Sequence, residues 1–267
     1  MKCGVEMISE QEKEFQKRLS SYSSLKALQI LFALSSCGDY VGIHTLAEIT
    51  GLNASTLHRI LQELAECGFV EKDEQQKKYS IGFETMILAD YLKNSNFLLE
   101  ACAEEMNRLN ELTKETINLI VLDGYQGTYI GKREAINQIT MRSKIGWRIP
   151  LYCTGGGKLL LAFQSEKWLE DYLNATPLYK YTENTIVDKD CLKRELQQIR
   201  RQNYSIDNRE HHPDVVCIAA PIFSRNHTIL AAISVAAPTY RFSLEKALSY
   251  KDDVIAAGKA ITELISK

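Results

Sequence analysis

The run Gly51-Leu52-Asn53-Ala54-Ser55-Thr56-Leu57-His58-Arg59-Ile60-Leu61 constrains this chain more than any other stretch. It reads as the turn and second helix of a helix-turn-helix. Asn53 is placed to accept hydrogen bonds from the open first turn, and Leu57, Ile60, Leu61 and Leu64 recur at i, i+3, i+4 and i+7 as one apolar stripe. The opposite face carries Ser55, Thr56, His58, Arg59 and Gln62, side chains that reach phosphates and base edges from a helix laid in the major groove. Upstream, Thr45 to Thr50 is a short helical segment, and Gly51 supplies the tight turn.

The flanks extend the motif. Gly68 to Val70 and Tyr79 to Ile81 bracket the polar run Glu71 to Lys78, which reads as two short strands joined by a charged hairpin, a wing that presents Lys77 and Lys78. Ahead of the motif, Ser24 can cap a helix from Leu25 to Leu34 whose apolar residues surround most of its circumference. Three helices and a wing make a winged helix-turn-helix, and double-stranded DNA is the partner it implies. Charge opposes that reading in bulk, because residues 21–82 hold five basic and seven acidic side chains, net −2. Few phosphate contacts per copy would then require two or more copies on repeated half-sites.

At 267 residues the chain has room for two domains, and its net charge of −2 gives no sign of general polyanion binding. It contains no apolar run long enough to span a bilayer, and Met1 to Glu14 lacks the apolar core of a secretion signal, so a cytoplasmic protein is expected. Seven scattered cysteines, none in a C-x-x-C pair, read as reduced thiols rather than a disulfide framework. No cofactor motif is present.

The domain boundaries expected are 1–82 for the winged helix, 83–95 for a linker helix carrying Phe83, Met86, Ile87 and Tyr91, and 96–267 for a second domain. A helix over Phe97 to Thr113 opens that domain, followed by strands at Thr116 to Leu122 and Thr128 to Gly131 around the turn Asp123 to Gly127. Further strands are predicted around Ile139 to Arg142, Tyr204 to Asp207, Cys217 to Phe223 and Ile229 to Ala236. Helices are predicted over Lys158 to Gln164, Glu166 to Leu173, Lys189 to Gln202 and Leu244 to Ile265. The order does not alternate strictly, which predicts an α+β domain with an antiparallel or mixed sheet.

Chemistry in this second half centres on Thr154-Gly155-Gly156-Gly157-Lys158. Glycines opening a helix let backbone N–H groups approach an anion, although the same turn also serves tight packing alone. The run is not a phosphate-binding P-loop, since Leu159 follows Lys158 where Ser or Thr is required. Two enzyme readings stand beside it: a metal site using Cys153, Asp207, His211, His212, Asp214 or Cys217, and a cysteine nucleophile at Cys153 or Cys217. Adjacent histidines followed by Pro213 suit a metal poorly, and a nucleophile needs a lowered thiol pKa.

Taken in order and spacing, the Thr50-Gly51-Leu52-x-x-Ser55-Thr56-x-x-Arg59 pattern, Gly156-Gly157-Lys158, Tyr181-Thr182-x-Asn184-Thr185-Ile186 and Asp207 to Pro221 resemble the IclR family of bacterial transcriptional regulators over almost the whole chain. The resemblance implies a winged helix-turn-helix joined by a linker helix to a GAF-like effector-binding domain. It implies homodimers or tetramers on operator DNA that respond to small metabolites, often carboxylates. By position, the family's effector site falls on Ile149, Thr154, Gly155, Gly156, Asp207, Cys217 and Ser234, with Trp147 expected beside Ile149 as an apolar wall. The resemblance also marks departures: Gly155 and Gly156 stand where a small and an apolar residue are usual, Asp214 and Val216 where glycine and arginine are common, and Tyr152 where histidine is common.

Overall fold

The computed structural model describes residues 25–37, 39–87, 97–136 and 143–266. The chain divides into two compact units, Met1–Ser95 and Asn96–Lys267. The expected Ser24 cap, the strand near Ile139, the reading of Met1 to Glu14 and most of the linker helix, Tyr91 included, lie outside the described residues. Of the linker, residues 84–87 are helical, and Phe83, Met86 and Ile87 are exposed.

The first unit contains α1 (Lys26–Cys37), β1 (Val41–Gly42), α2 (Ile43–Thr50), α3 (Ala54–Glu66), β2 (Val70–Asp73) and β3 (Lys78–Ile81). Gly51 ends α2 at φ 68°, and its N–H donates to the Ala47 carbonyl, so the chain reverses where a side chain would be strained. Asn53 then caps α3, its Oδ1 accepting from the Thr56 N–H at 2.9 Å. Leu57, Ile60 and Leu61 of α3 share one core with Ile30, Ala33 and Leu34 of α1, Leu46 of α2, and Val41, Val70 and Tyr79 of the sheet. That core fixes which face of α3 points outward.

The wing is a hairpin with Val70 opposite Ile81 and Asp73 opposite Lys78. Asp73 Oδ1 accepts from the N–H groups of Gln75 and Gln76, which turns the chain at residues 74–77. Strand β1 adds to β3 through Val41–Tyr79 and Gly42–Lys78 pairs. It was not anticipated, because two residues carry no alternation to read. At the base of the wing, a Cβ on Gly82 would sit 2.1 Å from the Gly68 carbonyl oxygen, so only glycine fits there.

The second unit contains α4 (Phe97–Thr113), β4 (Thr116–Asp123), β5 (Gln126–Arg133), β6 (Arg148–Pro150), α5 (Gly155–Ala162), α6 (Glu166–Ala175), α7 (Lys189–Gln202), β7 (Ser205–Asn208), β8 (Val215–Phe223), β9 (Ile229–Pro238), α8 (Leu244–Ser249) and α9 (Lys251–Ser266). Its strands form one sheet in the order β6-β5-β4-β9-β8-β7, antiparallel at every pairing. Period-two alternation sends Ile117, Leu119, Val216, Ile218, Ile233 and Val235 to one face, where they pack with Cys102, Met106 and Leu109 of α4 and Val254, Ala257 and Ile261 of α9. Ile120, Ala219 and Ala232 face the other way, toward Leu159 and Leu160 of α5, Tyr172 of α6 and Leu192, Leu196 and Ile199 of α7. The sheet is thus covered by helices on both faces, an α+β domain.

Three expectations need correcting. The helix predicted over Leu244 to Ile265 is broken at Tyr250, whose N–H bonds back to Ala247 and whose ring stacks on Phe242 at 6.1 Å. The apolar spacing runs on across the break, so periodicity alone does not reveal it. Helix α5 begins at Gly155 rather than Lys158, because packing overrides the poor helix propensity of three glycines. The turn predicted over Asp123 to Gly127 shrinks to Gly124-Tyr125, since Asp123 pairs with Gln126, and Gly124 takes φ 58°. The short edge strand β6 was also missed.

Candidate DNA-reading surface and effector site

The buried stripe of α3 leaves Ser55, His58, Arg59 and Gln62 exposed and Thr56 half-buried. These side chains share the face opposite the core. Several are already engaged: Ser55 Oγ donates to Asn53 Oδ1 at 2.8 Å, Arg59 pairs with Glu63 at 2.6 Å, and Gln62 donates to Glu66 at 3.1 Å. Lys77 stands exposed at the wing tip with φ 52°, and Lys78 is half-buried in β3.

In the second unit the sheet register places chemistry in two adjacent rows on the face toward α5. One row reads Asn118, Ser234, Ala219, Ser205 across β4, β9, β8 and β7, and the next reads Thr116, Ala236, Cys217, Asp207. Helix α5 descends directly onto them. A Cβ on Gly155 would lie 2.9 Å from Cys217 Sγ, one on Gly156 would lie 2.7 Å from Ile120 Cδ1, and one on Gly157 would lie 2.6 Å from Leu151 Cα. The glycines therefore let the helix N-terminus touch the strands. A Cβ on Gly155 would also lie 3.6 Å from the Asp207 backbone nitrogen, so the first turn of α5 sits over both Cys217 and Asp207.

Gly155, Gly156, Asp207, Cys217 and Ser234 are thereby brought together. Thr154 caps α5 from extended backbone, its hydroxyl donating to the Pro150 carbonyl at 2.7 Å. Ile149 lies on β6, at the opposite edge of the sheet from Asp207, and touches Gly127; Trp147 is half-buried beside it. They flank the region and do not meet Asp207.

Burial dominates the electrostatics. Asp207 is 3% exposed, and desolvation pushes its carboxyl up to about 7 although its Oδ1 accepts the Glu210 N–H at 2.7 Å. Burial, helped by the nearby Asp207, drives the Cys217 thiol up to about 12, and burial likewise raises Cys153 well above the ordinary thiol range. Both thiols stay protonated near neutrality, the reverse of what a nucleophile needs. His211 packs edge-on against Tyr181 at 5.0 Å, and burial lowers its imidazole to about 4. His212 is exposed, its Nδ1 accepting from the Asp214 N–H. Among the described residues, no three His, Cys, Asp or Glu side chains are grouped to hold a metal ion.

The contacts of several neighbouring side chains are not readable from the sequence. Lys158 is 1% exposed on α5, with Nζ 2.5 Å from Glu210 Oε1 and 3.1 Å from Glu195 Oε1. This ion cluster ties α5 to α7 and to the β7–β8 loop. The same loop is gripped by Asn184, Thr182 and Thr185, whose side chains donate to the carbonyls of Asn208, Arg209 and Glu210 at 2.8, 2.6 and 2.6 Å. That grip gives the Tyr181 to Ile186 motif its physical role. Tyr129 also faces the rows: burial first, then Cys217 and Asp207, raise its phenol. Asn118 is buried and accepts from the Ser143 hydroxyl at 2.9 Å, while the buried Thr116 hydroxyl has no hydrogen-bond partner among the described residues. A side chain's distance in space from Asp207 leaves no trace in local spacing, so these were not legible.

A winged helix joined in one chain to a sheet-and-helix unit with a polar, buried cluster under a helix N-terminus defines a ligand-responsive DNA-binding regulator. Residues 23–74 match the IclR helix-turn-helix domain and residues 89–263 match the bacterial transcriptional regulator IclR C-terminal domain. The chain belongs to the IclR family, and it is a metabolite-responsive DNA-binding transcriptional regulator. It is 34% identical to the HTH-type transcriptional regulator KdgR of Escherichia coli K12, over 93% of this chain and 95% of that protein. Its fold is similar to the crystal structure of Thermotoga maritima IclR, with TM-score 0.79 and 30% identity over 91% of this chain and 98% of that one. It is also similar in fold to an IclR homolog from Microbacterium hydrocarbonoxydans, complexed with 4-hydroxybenzoate, with TM-score 0.76 and 21% identity over 90% and 97% of the two chains. Among the described residues, no helix is long and apolar enough to cross a membrane.

Proposed function

We propose that residues 1–82 read operator DNA, that residues 83–95 form the connecting helix, and that residues 96–267 bind a small carboxylate which alters operator affinity. On the DNA side, Ser55, Thr56, His58, Arg59 and Gln62 contact bases or adjacent phosphates, and Lys77 and Lys78 hold the backbone from the wing. On the effector side, the carboxylate lies beside Thr154, Gly155 and Gly156 with Asp207, Cys217 and Ser234 meeting its polar substituents, and Ile149 and Trp147 flank the apolar end. The observation that carries this reading is the close approach of Gly155, at the start of α5, to Cys217 Sγ and the Asp207 backbone, with Asp207 in register beside Cys217 and Ser234 in the adjacent row opposite Ala219. A helix N-terminus favours negative charge, and the burial that raises the Asp207 carboxyl to about 7 favours its neutral, hydrogen-bond-donating form beside a carboxylate.

The protein works as a cytoplasmic homodimer or tetramer. Leu28 and Phe32, four residues apart on α1 and each 45% exposed, give the winged helix an apolar ridge for a second copy. It is a binding protein and not an enzyme; the raised thiol of Cys217 supports that reading over a cysteine nucleophile.

The effector assignment is tested by calorimetric titration of the full chain with pyruvate, glycerate and 4-hydroxybenzoate, comparing wild type with Ser234→Ala. Loss of one hydrogen bond predicts affinity for the best carboxylate weaker by about 5- to 10-fold. Equal affinity in both proteins would remove Ser234 from the site, and no binding of any carboxylate would remove the ligand class.

A further inference from the structure

The recognition helix carries its own acids in places where helix stability does not explain them. Glu63 and Glu66 lie in the last turn of α3, which contains no basic residue, and negative charge there opposes the helix dipole. The Arg59–Glu63 pair also runs in the weaker sense, with the cation N-terminal to the anion at i,i+4. Yet the two side chains are joined at 2.6 Å on the exposed face, at 65% and 57% exposure, and Gln62 bonds Glu66 in the same manner three positions along. Arg59 is the only arginine among residues 21–82, and its guanidinium is the group on α3 best shaped to clasp a phosphate or a guanine edge.

We infer that Glu63 is a specificity-determining residue of the DNA-reading surface: by holding the Arg59 guanidinium it suppresses sequence-independent phosphate binding. A phosphate on an arbitrary duplex must displace a carboxylate already in place, so that contact brings little net gain. At a matched site, α3 is held in the groove by its other contacts, and Arg59 exchanges Glu63 for a bidentate base edge or a fixed phosphate. The acidic balance of residues 21–82 then becomes part of discrimination. This inference rests on α3 being the DNA-reading helix.

The test is a fluorescence-anisotropy titration of the full chain against a scrambled duplex, using wild type, Glu63→Gln, Arg59→Ala and the double variant. Glu63→Gln is expected to strengthen scrambled-duplex binding about 8-fold near 0.1 M salt and to steepen the log affinity against log salt slope by about 0.9, the signature of one added phosphate contact. The gain is expected to vanish in the Arg59→Ala background. An unchanged slope, or the same gain without Arg59, would overturn the inference while leaving the DNA-reading assignment standing. Failure of all four proteins to bind any duplex at low salt would overturn both. Glu63 is solvent-exposed, so matching circular dichroism spectra are expected for the variants.

Discussion

Lys158→Met is expected to destabilise the second unit by about 3 to 5 kcal/mol, the usual consequence of stranding one member of a buried ion pair. Lys158 is 1% exposed and Glu210 has 7% of its side chain exposed, and Glu210 Oε2 has no hydrogen-bond partner among the described residues. Burial alone would lower the lysine pKa, but the carboxylates of Glu210 and Glu195 hold it above its ordinary value. Without that ammonium, Glu210 must stay charged and unpaired or take up a proton. The deficit should therefore shrink as pH falls toward 5, and Lys158→Met combined with Glu210→Gln should recover most of it. Both tryptophans, Trp147 and Trp168, lie in the second unit, so urea unfolding of the full chain followed by tryptophan fluorescence reads this unit alone. A single variant as stable as wild type at pH 7 would show that the cluster contributes nothing to the hold on the β7–β8 loop.

Asp207→Asn carries the second large effect, and its sign is opposite. The folded chain raises the Asp207 pKa from 3.8 to about 7, chiefly by burial, so the native state binds this proton more tightly than the unfolded chain does. The stabilising contribution is complete below the unfolded pKa and disappears as pH rises through about 7. Asparagine keeps the acceptor for the Glu210 N–H and has no proton to lose. The variant is expected to lack the decline in stability that wild type shows between about pH 4 and 7, and to exceed wild type at pH 8 by on the order of 2 to 4 kcal/mol. Unfolding curves at pH 5, 6, 7 and 8 decide it. Parallel pH profiles would mean that Asp207 is ionised in the folded protein across this range.

The winged helix was legible because its signals are local: the αL glycine at Gly51, the Asn53 cap and the Leu57, Ile60, Leu61 stripe each act within a few residues. The antiparallel hairpin of β8 and β9 was legible for the same reason, since one short turn joins two alternating runs. Failures arose where a long-range contact decided the outcome. Tyr250 breaks a helix because its ring finds Phe242, and α5 accommodates Gly155 to Gly157 because Cys217, Ile120 and Leu151 leave no room for Cβ atoms. Asp207, Cys217 and Ser234 stand out by residue type on successive strands, but only a family resemblance joins them in one site, and the sheet register brings Asp207 beside Cys217. Lys158, Glu210 and the Thr182 to Thr185 clamp belong to three separate chain segments, and only the folded loop joins them.

Ligand-modulated operator binding is tested most directly by fluorescence anisotropy of the full chain on its own upstream intergenic DNA and on a scrambled duplex, with and without a panel of small carboxylates. The account predicts preference for the upstream sequence and one carboxylate that shifts its affinity by about 5- to 150-fold, a coupling of about 1 to 3 kcal/mol. Equal binding to both duplexes, unmoved by every carboxylate, would contradict it.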